Sequence, residues 1–168
     1  DMTIKIWNAF TFECIATIEC NSTVLSLNQL QNGSLISGSN DALIQIWNAQ
    51  SVKQIATLKG HTNSVVDIRV FDTSYIISAS SDSTIKIWDA TSYDLIKTLV
   101  GHTDNVTNLK AVCDEKLVSG SNDSTIIIWN LITYKTIKVL RGHTGSISCI
   151  KELPEKNLAT CAYDSTIK

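Results

Sequence analysis

Histidine, serine, aspartate and tryptophan recur in a fixed order along this chain of 168 residues. A serine, a histidine and an aspartate could form the catalytic triad of a hydrolase, in which the imidazole accepts the serine proton and the carboxylate orients the imidazole. One such set comprises His61, Ser78, Asp82 and Trp88. The matching residues elsewhere are His102, Ser119, Asp123 and Trp129, then His143, Thr160 and Asp164, and earlier in the chain Ser37, Asp41 and Trp47.

The recurrence of the set favours a structural role over catalysis. The indole N–H can donate to the serine oxygen, the serine hydroxyl to one imidazole nitrogen, and the other imidazole N–H to the carboxylate, so that every polar group has a partner. An enzyme needs one shaped pocket with an oxyanion-stabilising site, whereas this set is copied once per repeat. We therefore predict structural hydrogen-bond networks and no catalytic residues.

Two repeats depart from the pattern. Glu19-Cys20 replaces the Gly-His pair in the repeat that ends at Trp47, and a thiol cannot bridge two partners as an imidazole does. We expect this repeat to be the most weakly braced of the complete ones. Thr160 stands where the other repeats have serine, and it keeps the hydroxyl group.

The aspartates of the sets follow a constant period. Asp41, Asp82, Asp123 and Asp164 are each 41 positions apart, and each complete repeat carries four short runs of β-forming residues bounded by turn residues. A period of this length, with Gly-His ahead and Ile-Trp-Asn/Asp behind, is typical of four-stranded propeller blades. The sequence resembles the WD-repeat β-propeller family over essentially its whole length. The resemblance implies an all-β fold whose blades have four antiparallel strands each, braced by the network described above.

The repeats also predict how the chain is divided. We expect a partial blade at 1–19, complete blades at about 20–60, 61–101 and 102–142, and a partial blade at 143–168. In the blade 61–101 the strands are predicted at 65–71, 75–80, 84–89 and 95–99. No segment has a convincing helical period, and the single proline, Pro154, falls in a predicted turn.

Small residues end the second strand of each repeat, where bulk would keep neighbouring sheets apart. The three triplets are Ser37-Gly38-Ser39, Ser78-Ala79-Ser80 and Ser119-Gly120-Ser121. Cys161 takes the equivalent small position in the last repeat, where we expect a buried, unreactive thiol.

Partners of the WD-repeat family commonly dock on the end of the propeller that carries the loops before the first strands and the turns between second and third strands. The resemblance maps a predicted rim onto Ser64, Val66, Ser81, Asn105, Thr107, Asn122, Ser146 and Tyr163. Interface hot spots favour Trp, Tyr and Arg, and only Tyr163 belongs to that class. Arg69 and Arg141 map elsewhere, so an arginine cluster for phosphopeptides is not expected. A solvated rim is the alternative to a binding surface.

Composition restricts the partners further. Fourteen basic and sixteen acidic residues give a formal net charge of -2, and neither sign forms a run. No apolar stretch approaches the roughly 20 residues that cross a bilayer. We therefore expect other proteins or peptides as partners, rather than nucleic acid, a membrane or a small-molecule substrate.

The cysteines indicate the compartment. There are five of them, and no pair has Cys-x-x-Cys spacing, so neither a zinc site nor a disulfide framework is predicted. We expect no metal and no cofactor, and a reducing location in the cytoplasm, or alternatively the nucleus, rather than secretion.

Three assemblies are compatible with the repeats. Residues 1–5 and 164–168 are the same point of the repeat, and the family usually closes with about seven blades, so we expect a segment of a longer array. Alternatively, one chain could close a ring of four blades, or two chains a ring of eight. We predict a non-catalytic scaffold for protein–protein interactions; the alternative is a structural or regulatory array attached to a catalytic domain elsewhere.

Overall fold

A computed structural model describes residues 2–112 and 115–168, so Asp1 and Cys113 of the sequence patterns lie outside the described residues. Five sheets follow one another along these described residues. Sheet 1 contains β1 (Thr3–Trp7) and β2 (Cys14–Glu19); sheet 2 contains β3 (Val24–Gln29), β4 (Leu35–Ser39), β5 (Ile44–Asn48) and β6 (Lys53–Leu58); sheet 3 contains β7 (Val65–Phe71), β8 (Tyr75–Ser80), β9 (Thr84–Asp89) and β10 (Leu95–Val100); sheet 4 contains β11 (Val106–Val112), β12 (Lys116–Ser121), β13 (Ile126–Asn130) and β14 (Lys135–Leu140); sheet 5 contains β15 (Ile147–Glu152) and β16 (Leu158–Ala162).

The predicted blades of four antiparallel strands are confirmed for the three complete repeats. In sheets 2, 3 and 4 the strands pair in chain order, each antiparallel to the next. Sheets 1 and 5 have two strands each and are separate, so within the described residues β16 does not pair with β1 as a four-bladed ring would require. Pro154 lies in a single 3₁₀ turn, Pro154–Lys156, between β15 and β16. No helix in the described ranges is long and apolar enough to span a membrane.

The apolar core lies between the sheets, because alternate residues of each strand face opposite neighbours. Ile85 and Ile87 of β9 pack in one cluster with Leu109 of sheet 4. Trp88, on the other face of the same strand, packs in a second cluster with Ile44 of sheet 2. Both faces of a third strand are therefore covered, which explains why these strands are apolar on both sides.

The small residues of the second strands lie where the next sheet approaches. A Cβ atom added to Gly38 would lie 2.7 Å from Cγ1 of Val65, and one added to Gly120 would lie 2.5 Å from Cγ2 of Ile147. The expectation of a buried thiol at the matching Cys161 is wrong, since this residue is only half-buried. Gly38 and Gly120 face the first strand of a following sheet, whereas no sheet follows sheet 5 in the described chain.

Side chains of the first strands join neighbouring sheets as a paired strand would. Ser26 Oγ accepts a hydrogen bond from the Ile68 amide at 3.0 Å, and Asn28 Nδ2 donates to the Ile68 carbonyl at 3.1 Å. Two side chains on one face of β3 thus satisfy both backbone groups of a single residue in β7.

The same arrangement recurs one sheet later with charged residues. Asp67 Oδ2 accepts from the Leu109 amide at 2.8 Å, and Arg69 Nε donates to the Leu109 carbonyl at 3.0 Å. Burial raises the pKa of Asp67, and the Leu109 amide and Arg69 oppose that rise. Arg69 therefore joins sheets 3 and 4, consistent with its predicted absence from the rim.

We predict that Gly120→Ala lowers the free energy of unfolding by about 1–3 kcal/mol, because the new methyl group overlaps Ile147. Urea unfolding of the variant and the wild type measures the effect, and a variant as stable as the wild type would contradict the prediction.

Candidate functional site

Four elements of sheet 3 bring the predicted set together. His61 lies in the loop before β7, Ser78 in β8, Asp82 in the turn between β8 and β9, and Trp88 in β9. His61 Nδ1 is 2.8 Å from Asp82 Oδ2, and His61 Nε2 is 2.8 Å from Ser78 Oγ. Trp88 Nε1 donates to the same Ser78 Oγ at 2.9 Å. The result is one continuous chain of hydrogen bonds from a loop to the third strand.

The partners fix where the protons are. The carboxylate of Asp82 can only accept, so His61 Nδ1 carries the proton and donates to it. Ser78 Oγ already accepts from the indole and can give its own proton to His61 Nε2. With this assignment of protons, each of the four side chains in the hydrogen-bond network has a partner.

Sheets 4 and 5 repeat this geometry. His102 lies 3.0 Å from Asp123 Oδ2 and 2.8 Å from Ser119 Oγ, which accepts from Trp129 at 2.8 Å. In sheet 5 the bonds of the imidazole are kept, and the described residues supply no indole. His143 lies 2.9 Å from both Asp164 Oδ2 and Thr160 Oγ1.

The turn aspartate also holds two backbone segments, a role that sequence reasoning missed. Asp82 Oδ2 accepts from the Thr62 amide at 3.0 Å, and Oδ1 accepts from the Thr84 amide at 2.9 Å and the Thr84 hydroxyl at 2.6 Å. The loop before the first strand and the turn after the second strand are thereby tied to one carboxylate. The signal was present in the sequence as the triplet Asp-Ser-Thr at 82–84, 123–125 and 164–166.

Burial and hydrogen bonding shift the titration of these groups. Burial lowers the pKa of His61 and His102 and outweighs the attraction of their aspartates. Burial would raise the pKa of Asp82, but bonds from Thr84, the Thr62 amide and His61 lower it to about 2. The Thr84 and Thr62 groups that donate to Asp82 carry no charge, and their bonds lower its pKa whether or not His61 is protonated. The Asp82 carboxylate therefore stays ionised beside a neutral imidazole.

Sheet 2 has only fragments of this network. Trp47 Nε1 donates to Ser37 Oγ at 2.9 Å, and Ser39 Oγ donates to Asp41 Oδ1 at 2.6 Å. The Cys20 thiol makes one long contact, 3.9 Å to the carbonyl of Ile18 two residues earlier. Burial raises the pKa of Cys20, which keeps the thiol neutral. The tryptophan half and the aspartate half are therefore not bridged.

These residues differ from a hydrolase triad because their serine hydroxyls are not accessible to a substrate. Ser78 and Ser119 are fully buried, and each oxygen is already engaged by an indole and an imidazole. A substrate cannot reach such an oxygen without opening the sheet. Among the residues described, no cluster of three or more histidine, cysteine or acidic side chains is placed to hold a metal ion.

The residue after each tryptophan has a role that sequence reasoning also missed. Asp89 Oδ1 accepts from the amides of Thr91 and Ser92, at 2.8 Å each. Asn130 does the same for Ile132 and Thr133. One side-chain oxygen thus holds the turn between third and fourth strands, and asparagine supplies it as well as aspartate does.

Four of the eight predicted rim residues form hydrogen bonds between sheets. Ser64 Oγ donates to Asn40 Oδ1 of the preceding sheet at 2.7 Å, and Ser146 makes the same bond to Asn122. Thr107 Oγ1 donates to the Ile147 carbonyl at 2.7 Å. The rim is therefore a hydrogen-bonded surface that spans several sheets.

The remaining predicted rim residues differ in exposure. Val66 is half-buried against the core between sheets 3 and 4. The Ser81 amide donates to the Ser64 carbonyl, and the Asn122 amide to the Asn105 carbonyl, at 2.9 Å each. Tyr163 is 82% exposed, so it is the large side chain that the rim presents to solvent.

A family model for "WD domain, G-beta repeat" matches residues 12–48, 52–89, 93–130 and 134–168. The chain belongs to the WD40 family. The first three matched segments each end with a third strand, and all four contain a turn aspartate.

Two relatives carry similar repeats in longer proteins. The "DENN domain and WD repeat-containing protein SCD1" of Arabidopsis thaliana is 38% identical over 43% of this chain and 6% of the relative. "Mitochondrial division protein 1" of Vanderwaltozyma polyspora is 28% identical over 44% of this chain and 13% of the relative. The WD40 chain thus spans a small part of the length of these relatives.

Solved structures share the fold of this WD40 chain. The structure described as "Structure of U3-55K" superposes with a TM-score of 0.89 and 29% identity, over 99% of this chain and 54% of that one. A chain of the "Crystal Structure of Mitotic Checkpoint Complex" superposes with a TM-score of 0.86 and 24% identity, over 96% of this chain and 51% of that one. The chain spans about half of each propeller protein.

We predict that His102→Ala costs about 1–3 kcal/mol of stability, because it removes one hydrogen-bond partner from the buried Ser119 and one from Asp123. Cys20→Ala is the matched control, since the thiol at that position of sheet 2 bridges neither Ser37 nor Asp41. Chemical denaturation compares the two variants. Equal losses would show that the imidazole does not brace its sheet.

We also predict that the WD40 chain loses stability as the pH falls below about 6.5. The unfolded chain takes up protons on its histidines near that value, whereas burial holds the pKa of His61 and His102 lower in the folded chain. A second loss should follow below about pH 4, as Asp82 and Asp123 protonate first in the unfolded chain. Urea midpoints across this range measure both steps, and stability that rises between pH 7 and pH 5 would contradict the assignment.

Proposed function

We propose that this WD40 chain is a non-catalytic scaffold that presents its rim to other proteins or peptides. WD repeats generally serve as protein–protein interaction scaffolds, and one structural neighbour is a protein complex. Both the class of partner, a protein or peptide, and its docking on the rim are proposed.

The observation that carries the proposal is the double anchoring of the rim. In each of sheets 3, 4 and 5, one carboxylate binds the amide of the loop before the first strand at 2.9–3.0 Å and that of its own turn at 2.8–3.0 Å. Loops that are already ordered lose little conformational entropy when a partner binds. Hydrogen bonds between sheets, such as Ser64 to Asn40, extend this order along the rim.

We propose that the chain is not catalytic because its candidate nucleophiles are not accessible to a substrate. The hydroxyl oxygens that sit beside imidazoles are buried and accept hydrogen bonds from indoles in sheets 3 and 4. A nucleophile must reach its substrate, so these oxygens are unsuited to the role.

A second candidate is a structural or regulatory array attached to a catalytic domain. The name of the Arabidopsis relative places WD repeats and a DENN domain in one protein. In that case the rim or a sheet face would contact the attached domain rather than a separate partner.

We place the protein in the cytoplasm, with the nucleus as an alternative. The five cysteines are odd in number and lack paired spacing, which suits a reducing compartment. Fractionation of cells that express the full-length protein would test this placement.

We predict that Tyr163→Ala weakens capture of the specific partner by about 2 kcal/mol or more, because an exposed tyrosine on an ordered surface is a typical hot spot. Phe10→Ala is the matched control: Phe10 is 92% exposed but lies in a turn between third and fourth strands, at the opposite end of the sheets. Proximity labelling with both variants and the wild type identifies proteins that depend on the rim. Identical protein sets for all three, or no partner at all, would contradict a scaffold that binds through its rim.

A further inference from the structure

A pocket of about 190 Å³ lies between sheets 3 and 4, at the end of the sheets opposite the rim. Its lining combines the first hairpin of sheet 3 with two turns of sheet 4, and comprises Phe71, Tyr75, Glu115, Leu131, Ile132 and Tyr134. The chain has three phenylalanines and four tyrosines, and one phenylalanine and two tyrosines of these line the pocket. The pocket therefore brings three aromatic rings and one carboxylate together.

The hairpin and the core fix the three rings. Phe71 and Tyr75 are direct partners across the hairpin of β7 and β8, and the side chains of such partners lie on the same face of a sheet. Both rings and that of Tyr134 are half-buried against the core cluster shared by sheets 3 and 4. The rings are therefore walls of the pocket rather than free surface side chains.

Hydrogen bonds order the part of the pocket that sheet 4 contributes. The Glu115 carbonyl accepts from the Leu131 amide at 2.9 Å, which ties the two turns together, and Asn130 Oδ1 holds the second turn through two amides. Burial, the neighbouring Tyr75 and a hydrogen bond between the two tyrosines raise the pKa of Tyr134, so its phenol is neutral at pH 7. A pocket that is ordered beforehand loses little conformational entropy when a ligand binds.

The packing of one sheet on the next does not require these rings. Between sheets 2 and 3, the residues 41 positions earlier are Leu30, Ser34, Ser74, Ala90, Thr91 and Tyr93. Leucine and serine thus stand where the pocket has Phe71, Tyr75 and Glu115. The same fold forms with either set, so the rings and the carboxylate need an explanation other than packing.

The chemistry of the lining favours a cation. Aromatic rings attract a cation through their electron-rich faces, and the exposed Glu115 adds a negative charge at the mouth beside Ile132, which is 64% exposed. A bare lysine ammonium is strongly hydrated, and its N–H donors need acceptors that apolar walls do not supply. Methyl groups replace those donors and pack against apolar walls, so an alkylated ammonium leaves water more readily.

We propose that this pocket binds a trimethylated ammonium group, with the three aromatic rings around the cation and the Glu115 carboxylate at the mouth. The side chain of trimethyllysine in a protein and the head group of choline both carry this cation. The site lies at the opposite end of the sheets from the rim, so a partner docked on the rim leaves it open.

Saturation-transfer difference NMR on the full-length protein tests the proposal, because it detects the methyl protons of a weakly bound ligand. The probes are choline, neohexanol, in which carbon replaces the nitrogen of choline, and one peptide with either trimethyllysine or unmodified lysine. Choline should bind about tenfold more tightly than neohexanol, and the trimethylated peptide about tenfold more tightly than the unmodified one. Tighter binding of the trimethylated peptide than of choline would identify a protein as the source of the cation, and the reverse order a choline compound.

The variants introduce residues that the fold already accepts in sheet 2. Tyr75→Ser supplies the residue found at Ser34, and Tyr134→Val the residue found at Val52, which has the same left-handed φ. Each should weaken choline binding about tenfold. Tyr93→Val is the matched control, because Tyr93 has the same turn position in sheet 3 but packs against the cluster of sheet 2. It should bind choline as the wild type does, and circular dichroism verifies the folding of each variant.

Several outcomes would overturn the proposal. Equal binding of choline and neohexanol would show an apolar pocket that does not recognise charge, and this comparison on the wild type decides even where a variant fails to fold. Choline binding that Tyr93→Val weakens as strongly as Tyr75→Ser would place the ligand elsewhere. A wild-type protein that binds neither choline nor the trimethylated peptide has no such site.

Discussion

The structure depends on a hydrogen-bond chain that runs from carboxylate to imidazole to hydroxyl to indole. In sheet 3 it joins Asp82, His61, Ser78 and Trp88, which belong to a turn, a loop, a second strand and a third strand. Each polar group is buried or half-buried, so losing a partner costs more than an exposed hydrogen bond would. The hydrogen-bond chain therefore holds the loop before the first strand and the turn after the second strand in one geometry. An ordered rim follows, because these loops and turns form the rim.

A second constraint acts between the sheets. Side chains of one first strand bind both backbone groups of a residue in the next, as Asp67 and Arg69 bind Leu109. Small residues such as Gly38 allow this approach, because a larger side chain would meet Val65. Bracing within a sheet and pairing between sheets use different residues, so one blade can lack the imidazole, as sheet 2 does, and still pack on its neighbours.

Much of the fold could be predicted from the sequence, because the repeat period and the turn residues fix the strands. The four residues of each network were also visible, since their types and spacing recur. The role of Thr84 was missed although the Asp-Ser-Thr triplet recurs in the sequence. The Asp67–Arg69 pair was missed because its role depends on which face of a strand meets the next sheet, and one repeat does not reveal this. Cys161 was predicted to be buried from its small neighbours in other repeats, but its exposure depends on a following sheet.

The most direct measurement of the central claim is a double-mutant cycle on Asp123 and Trp129, the two ends of one hydrogen-bond chain. Asp123→Asn removes the charge and Trp129→Phe removes the indole donor, and His102 and Ser119 lie between them. If the four groups brace the sheet as a unit, unfolding free energies should show a coupling of about 0.5–3 kcal/mol. Strictly additive losses would contradict the account, since the two ends would then act as separate local contacts.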